Sequence, residues 1–170
     1  MVTTEIRLLG PPTLTKTGRP VRLHSAKTLA LLAYLVLETD TIHSREKLAE
    51  LLWGESPEPR ARQSLRQALY SLRRMLGADA FALSGGAVSF EPAAGIWVDA
   101  VAFQSLTERS ADGPALDAMR RAANLYRGPL LEGSEPSECP TFDEWLFFQR
   151  DGLEQRALAT LQSLVDGLLK

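Results

Sequence analysis

Five arginines, two glutamines and a tyrosine stand between Arg60 and Arg74, with no acidic residue among them. Guanidinium and carboxamide groups are the side chains that read nucleic acid: arginine matches phosphates and guanine edges, glutamine matches adenine. Spacing decides whether they act together. With Leu65 as origin at 100° per residue, Leu69, Leu72 and Leu76 lie within about 40° of it. Arg60, Gln63, Gln67, Tyr70 and Arg74 then point roughly opposite, and Arg66 and Arg73 fall on one flank. Such a helix buries one stripe and presents a row of long donors on the other side. Pro59 suits its first turn and Gly77 suits the left-handed residue that ends it. The plain alternative is a solvated amphipathic helix, since arginine is a good helix former.

Little else in the chain could do chemistry. His24 and His43 have no second His or Cys at metal-ligand spacing, and each reads as a loop residue beside a helix cap. No nucleophile elbow, Walker loop or dinucleotide fingerprint occurs. Ser84-Gly85-Gly86 is too short for a phosphate cradle and reads as a hairpin turn. Cys139, the single cysteine, reads as a spectator thiol between Pro136 and Pro140 and excludes an internal disulfide. The chain is therefore expected to be neither an enzyme nor a binder of metal or cofactor.

The 170 residues carry a net charge of −2, unevenly placed. Residues 1–100 hold 12 basic and 10 acidic side chains, while residues 101–170 hold 7 and 11. A basic patch in the first half is thus hidden in the global balance. The ordinary composition, the lone cysteine, and the lack of a leader or membrane-spanning run point to a soluble cytoplasmic protein without membrane partners.

The elements that position the arginine helix follow in order. Glu5–Leu9, Thr13–Thr15 and Val21–Leu23 read as short strands around turns at Gly10–Pro12 and Thr17–Pro20. Ser25 caps a nearly all-apolar and hence central helix, about Lys27–Glu38. Ser44 caps a second helix, Arg45–Trp53, ended by Gly54. The segment Gly54, Glu55, Ser56, Pro57, Glu58 is a stiff loop into the arginine helix, expected at about 60–76. Phe81–Leu83 and Val88–Phe90 then flank a tight hairpin turn at Ser84–Ala87. Strands, three helices and a hairpin are the plan of a winged helix-turn-helix, in which helices two and three read DNA and the hairpin is the wing.

Beyond a Pro/Ala/Gly joint at 92–95 the chain reads as helical. Asp99 is placed to cap a helix to about Arg109, Asp112-Gly113-Pro114 breaks it, and Ala115–Tyr126 forms a second. A loop with three acids and two prolines, Glu132–Thr141, leads to a long helix starting at Thr141 or Asp143 and running to about Leu169. Leu146, Leu153, Ala157, Leu161, Leu164 and Leu168 form its inward stripe, Phe147, Leu158 and Val165 widen it, and Trp145 and Phe148 point elsewhere.

At this point the chain resembles a known family. Leu8-Leu9-Gly10, Lys27-x-Leu29-Ala30-Leu31-Leu32-Ala33-Tyr34-Leu35 and Ser44-Arg45-Glu46-x-Leu48-Ala49-Glu50-Leu51-Leu52-Trp53 carry the resemblance, with Ala61-Arg62-x-Ser64-Leu65-Arg66-Gln67-Ala68-Leu69 and Leu72-Arg73-Arg74-x-Leu76-Gly77. Further on come Trp97-x-Asp99, Phe103, Leu125-Tyr126-x-Gly128-Pro129-x-x-Glu132-Gly133 and Trp145. These are similar to the Streptomyces antibiotic regulatory protein family: an OmpR-type winged helix followed by the start of a bacterial transcriptional activator domain. The resemblance implies an α+β winged-helix domain, residues 1–93, and the N-terminal part of an all-α, tetratricopeptide-like domain, residues 94–170. In that family the activator domain continues for several more helices, so the long helix is expected to keep an unpartnered apolar face and to self-associate or meet a further region.

The expected function is a sequence-specific transcription activator. Arg66, Gln63, Gln67 and Tyr70 would meet base edges in double-stranded DNA, while Arg60, Arg62, Arg73 and Arg74 grip phosphates. Ser44 and Arg45, at the start of helix two, would hold another phosphate. The wing at Ser84, Gly85 and Gly86 lacks a basic residue for a deep minor-groove contact. The resemblance further implies binding to direct repeats, self-association on DNA, and contact between loop 54–58 and RNA polymerase, including its sigma subunit. The rival reading is a helical adaptor whose winged domain binds an acidic protein surface.

Overall fold

The computed structural model describes residues 3–91, 95–108 and 115–169. Four short strands open the architecture: β1 (Thr4–Arg7), β2 (Thr13–Lys16), β3 (Arg19–Val21) and, far along the chain, β7 (Ile96–Val98). They form one sheet in the order β3-β2-β1-β7, antiparallel except for the parallel β1·β7 pair. The strand that leads into the helical region thus completes the N-terminal sheet. Strand β3 lies two residues earlier than Val21–Leu23, because the turn is confined to Thr17 and Gly18, both at positive φ.

The winged unit is built from helix α1 (Ala26–Leu37), strand β4 (His43–Ser44), helices α2 (Arg45–Trp53) and α3 (Glu58–Leu76), and the hairpin of β5 (Phe81–Ser84) and β6 (Ala87–Phe90). A short 3₁₀ turn at Ala78–Ala80, absent from the sequence reading, joins α3 to the hairpin. Helix α1 is buried from Thr28 to Val36, as its all-round apolar sequence requires, and the Ser25 hydroxyl accepts from Thr28 N–H at 3.3 Å. Two helices at right sequence distance would still be unanchored without α1 at the centre of the core.

The helical region comprises α4 (Asp99–Thr107), α5 (Leu116–Leu125) and α6 (Pro140–Leu168). The breaks expected at 92–94 and 112–114 lie outside the described residues, and α4 ends at Thr107 with Glu108 as its C-cap, two residues ahead of the expected end. Helix α6 starts earlier than expected because Pro140 occupies its first turn, where a missing N–H costs nothing. One apolar core runs from Ile6 and Leu8 through α1, α2 and α3 to Phe103, Phe142 and Leu153.

Three details correct the sequence reading. Asp99 is not the N-cap of α4, which is Val98. Its carboxylate is fully buried and reaches back to β1: Oδ1 accepts from Leu8 N–H at 2.7 Å and Oδ2 from Leu9 N–H at 3.0 Å. Trp145 does not point away from the bundle. Its ring packs tilted against Tyr34 of α1, centroids 5.0 Å apart, and donates from Nε1 to Glu38 Oε1 at 2.9 Å. Cys139 is a buried link whose thiol donates to Leu52 O at 3.2 Å, and burial pushes that thiol above its ordinary value.

The inward face of α6 is Phe142, Leu146, Leu153, Ala157 and Thr160. Leu161 and Leu168, expected in that stripe, are exposed, together with Phe147, Phe148, Leu158 and Val165. Periodicity identifies an amphipathic helix but not how far along it a neighbour extends. Among the described residues nothing covers that apolar face.

Candidate nucleic-acid interface

Helix α3 begins at Glu58, two residues ahead of expectation, so Glu58 belongs to the helix rather than to the loop before it. Pro59 falls in its first turn, and Gly77 ends it at φ 107°, ψ 154°, positive in φ but extended in ψ rather than the left-handed conformation expected, and a side chain there would be strained. Ala61, Leu65, Ala68, Leu69, Leu72, Met75 and Leu76 are buried, which fixes the rotation of the helix. That rotation leaves Arg60, Arg62, Gln63, Arg66, Gln67, Tyr70 and Arg74 exposed. Seven long polar or aromatic side chains therefore share one solvent face.

The face is not uniformly free. Arg62 pairs with Glu58 one turn back at 2.5 Å, a contact that the acid-free window from Arg60 did not foresee. Both partners are exposed, so exchanging this pair for a phosphate costs little. The Arg74 guanidinium lies 5.9 Å from the Tyr70 ring centroid, a spacing that orients both along the helix. Arg73 is only half-exposed, and its Nε is buried without a hydrogen-bond partner.

Helix α2 supplies the support. Ser44 caps it, its hydroxyl accepting from Lys47 N–H at 3.1 Å, and Glu46 favours its positive end. Leu48, Ala49, Leu51, Leu52 and Trp53 bury the side facing α1 and α3. The connection to α3 is short and stiff. Ser56 N–H donates to Trp53 O at 3.0 Å, Pro57 is the N-cap of α3, and a Cβ at Gly54 would meet Glu50 O at 2.7 Å. Gly54, Glu55 and Pro57 are exposed on this loop, and Ser56 is half-exposed.

Sequence reasoning missed strand β4. His43 and Ser44 pair with Val88 and Ala87 of β6, and Arg45 N–H donates to Gly86 O at 2.9 Å. The tip of the hairpin is thereby bonded to the first turn of α2. Gly85 and Gly86, at φ 55° and 83°, supply the two positive φ values of a two-residue hairpin turn. Ser84 is the last residue of β5 rather than part of the turn. His43, expected in a loop, is buried in this strand, its ring 5.0 Å from that of Tyr34 and its Nε2 3.1 Å from Glu38 O. A two-residue strand gives no alternation to detect, which is why only the cap at Ser44 was visible.

The structure thus bonds the hairpin tip at Gly86 to Arg45 beside Ser44, and packs α3 against α2 on the same core. A helix presenting donors beside a second helix N-terminus and a hairpin is a geometry that fits a groove flanked by phosphates.

The comparisons with known proteins bear on the family and the fold. The family described as transcriptional regulatory protein, C terminal, matches residues 18–83, from the β2–β3 turn to the first strand of the hairpin. The regulatory protein AfsR of Streptomyces coelicolor is 29% identical over 133 residues, covering 74% of this chain and 13% of AfsR. The transcriptional regulatory protein MoaR1 of Mycobacterium tuberculosis is 32% identical over 72 residues, 42% of this chain and 23% of MoaR1. Over these stretches the chain is similar to transcriptional regulators of the Streptomyces antibiotic regulatory protein type. The family resemblance carried by the α1, α2 and α3 motifs is borne out. Mycobacterium tuberculosis EmbR, solved with a low-affinity phosphopeptide, superposes with a TM-score of 0.70 at 20% identity, over 96% of this chain and 45% of EmbR. That likeness concerns the fold: a winged α+β domain followed by a helical region. The chain spans less than half of each of these three relatives. Among the described residues no helix is long and apolar enough to cross a membrane.

Proposed function

We propose that this regulator is a sequence-specific DNA-binding transcription activator whose α3 enters the major groove. The observation that carries the reading is the rotation of α3: its apolar stripe is locked in the core, and its arginine and glutamine side faces solvent. Arg66, Gln63, Gln67 and Tyr70 meet base edges, and Arg60, Arg62, Arg73 and Arg74 hold phosphates. Ser44 and Arg45 take a further phosphate, with the uncharged turn at Gly85 and Gly86 resting against the backbone. In this reading residues 1–93 bind DNA and residues 94–170 form the start of the activator domain. Two copies bind direct repeats in the cytoplasm, and the stiff loop at Gly54, Glu55, Ser56 and Pro57, with Glu58, touches RNA polymerase.

The salt dependence of duplex binding tests the reading. Five arginines on about five phosphates give a slope of log K against log salt of about −4 to −5. A flat response overturns it. The second reading, an adaptor that uses the same arginine face on an acidic protein surface, rests on the overall charge of −2. It predicts that Arg66→Ala with Arg74→Ala abolishes protein assembly and leaves DNA affinity unchanged.

A further inference from the structure

A cleft of about 460 Å³ runs along the C-terminal half of α3 and shares only Tyr70 and Arg74 with the residues assigned above. One wall is Tyr70, Ser71 and Arg74 of α3; the other is the end of β3 and the loop into α1, with Arg22 and His24, closed below by Lys16. Three cations and no acid line it, in a protein whose net charge is −2. Lys16 Nζ donates to Met75 O at 2.7 Å, which ties β2 to the last turn of α3 and keeps the cleft in line with the helix face. Arg22 and His24 are exposed, and no ion pair among the described residues engages Arg22, Lys16 or Arg74.

We infer that this cleft grips the DNA backbone on the flank of the major groove beyond α3, with Arg22 as its principal phosphate ligand. The inference rests on the proposal that α3 reads duplex DNA and extends its contact surface to the N-terminal sheet. Tyr70 and Arg74 belong to both surfaces, so a backbone leaving the α3 face passes directly into the cleft. The partner chemistry follows from the lining. An acid-free row of guanidinium and ammonium groups attracts a polyanion, and the open shape suits a continuous backbone rather than an enclosed small anion. Acting on phosphates, the cleft adds affinity without altering base choice.

The test uses the 170-residue chain, a random-sequence duplex pool for the salt slope, one duplex selected from that pool for footprinting, and two variants, Arg22→Ala and Arg22→Lys. Both substitutions sit at an exposed position, and equal thermal midpoints confirm that folding is unchanged. The Arg22→Ala variant is expected to lower the salt slope by about 0.9, the loss of one phosphate contact. Arg22→Lys restores the slope. Backbone-cleavage footprinting loses protection at one edge of the site in Arg22→Ala and nowhere else. An unchanged slope and footprint in Arg22→Ala, with the parent chain still salt-dependent, overturns the cleft assignment alone. A parent chain with no salt-dependent binding overturns the α3 reading and the cleft with it.

Discussion

The Asp99 carboxylate accepts the Leu8 backbone N–H at 2.7 Å across 91 residues of sequence. The same side chain takes Leu9 N–H at 3.0 Å and Ala100 N–H at 2.7 Å, with the Arg127 guanidinium 3.8 Å away. A carboxylate therefore ends β1 and begins α4 at once. The segment after α5 closes the junction from the other side: Leu131 N–H donates to Leu8 O at 2.9 Å and Gly10 N–H to Pro129 O at 3.0 Å. Two of the motifs that carried the family resemblance, Leu8–Gly10 and Gly128–Glu132, are in direct contact. Winged domain and helical region meet here as one packed unit.

Replacing Asp99 by Asn keeps one acceptor but sets an amide N–H₂ against the Leu9 N–H. One buried donor is then unsatisfied, and the expected loss is about 1–3 kcal/mol, read as a lower urea midpoint. Burial raises the Asp99 carboxyl above its ordinary value, against the opposing pull of the three N–H donors and Arg127. The sign follows. As pH rises from below the ordinary carboxyl value through the raised one, the unfolded chain loses its proton first and this contribution to stability is lost. Asp99→Asn should remove that part of the pH profile.

Trp145 and Glu38 couple α6 to α1 through a 2.9 Å hydrogen bond. Trp145→Phe keeps most of the ring packing on Tyr34 and deletes the donor. A loss of about 1 kcal/mol in chemical unfolding is expected, with a single cooperative transition retained. Two separated transitions would show that the winged domain and the helical region unfold independently.

The hairpin turn depends on glycine at both central positions. A side chain at Gly86, φ 83°, costs about 1–2 kcal/mol locally and shifts the carbonyl that accepts from Arg45. Gly86→Ala should weaken duplex binding at all sequences alike, because it disturbs support rather than base reading. A change in sequence preference would place the turn in direct base contact.

Gln67 lies at the middle of the exposed face of α3. If it bonds adenine bidentately, Gln67→Ala costs about 1–3 kcal/mol on the preferred site and relaxes the choice at one base pair. Competition binding across single-base variants of the site measures this. Equal losses on every duplex would make Gln67 a positioning residue.

Cys139 is buried, burial raises its thiol above the ordinary value, and its sulfur lies 3.2 Å from Leu52 O and 3.3 Å from Ser137 O. Alkylation in the folded state should therefore be slow and should track unfolding as denaturant is added. Rapid labelling in buffer would mean that the start of α6 opens away from α2.

What could be read from the sequence was whatever local chemistry encodes. Ser25 and Ser44 mark helix starts because capping is a contact across three residues, and Gly85-Gly86 marks a turn because two consecutive positive φ values need it. The rotation of α3 followed from four leucines. The Asp99 clasp, the β1·β7 pairing and the Trp145–Glu38 bond were not legible, since each joins residues about 90 or more positions apart and leaves no periodic trace. The Arg62–Glu58 pair was missed for a simpler reason: the helix begins two residues earlier than its cap signals suggested.

Selection from a pool of random duplexes at about physiological salt, using the 170-residue chain and an Arg66→Ala control, tests the central claim most directly. The account predicts enrichment of a direct repeat by the parent chain and its loss in the control. No enrichment at any protein concentration, or equal enrichment by both, would contradict DNA reading by α3.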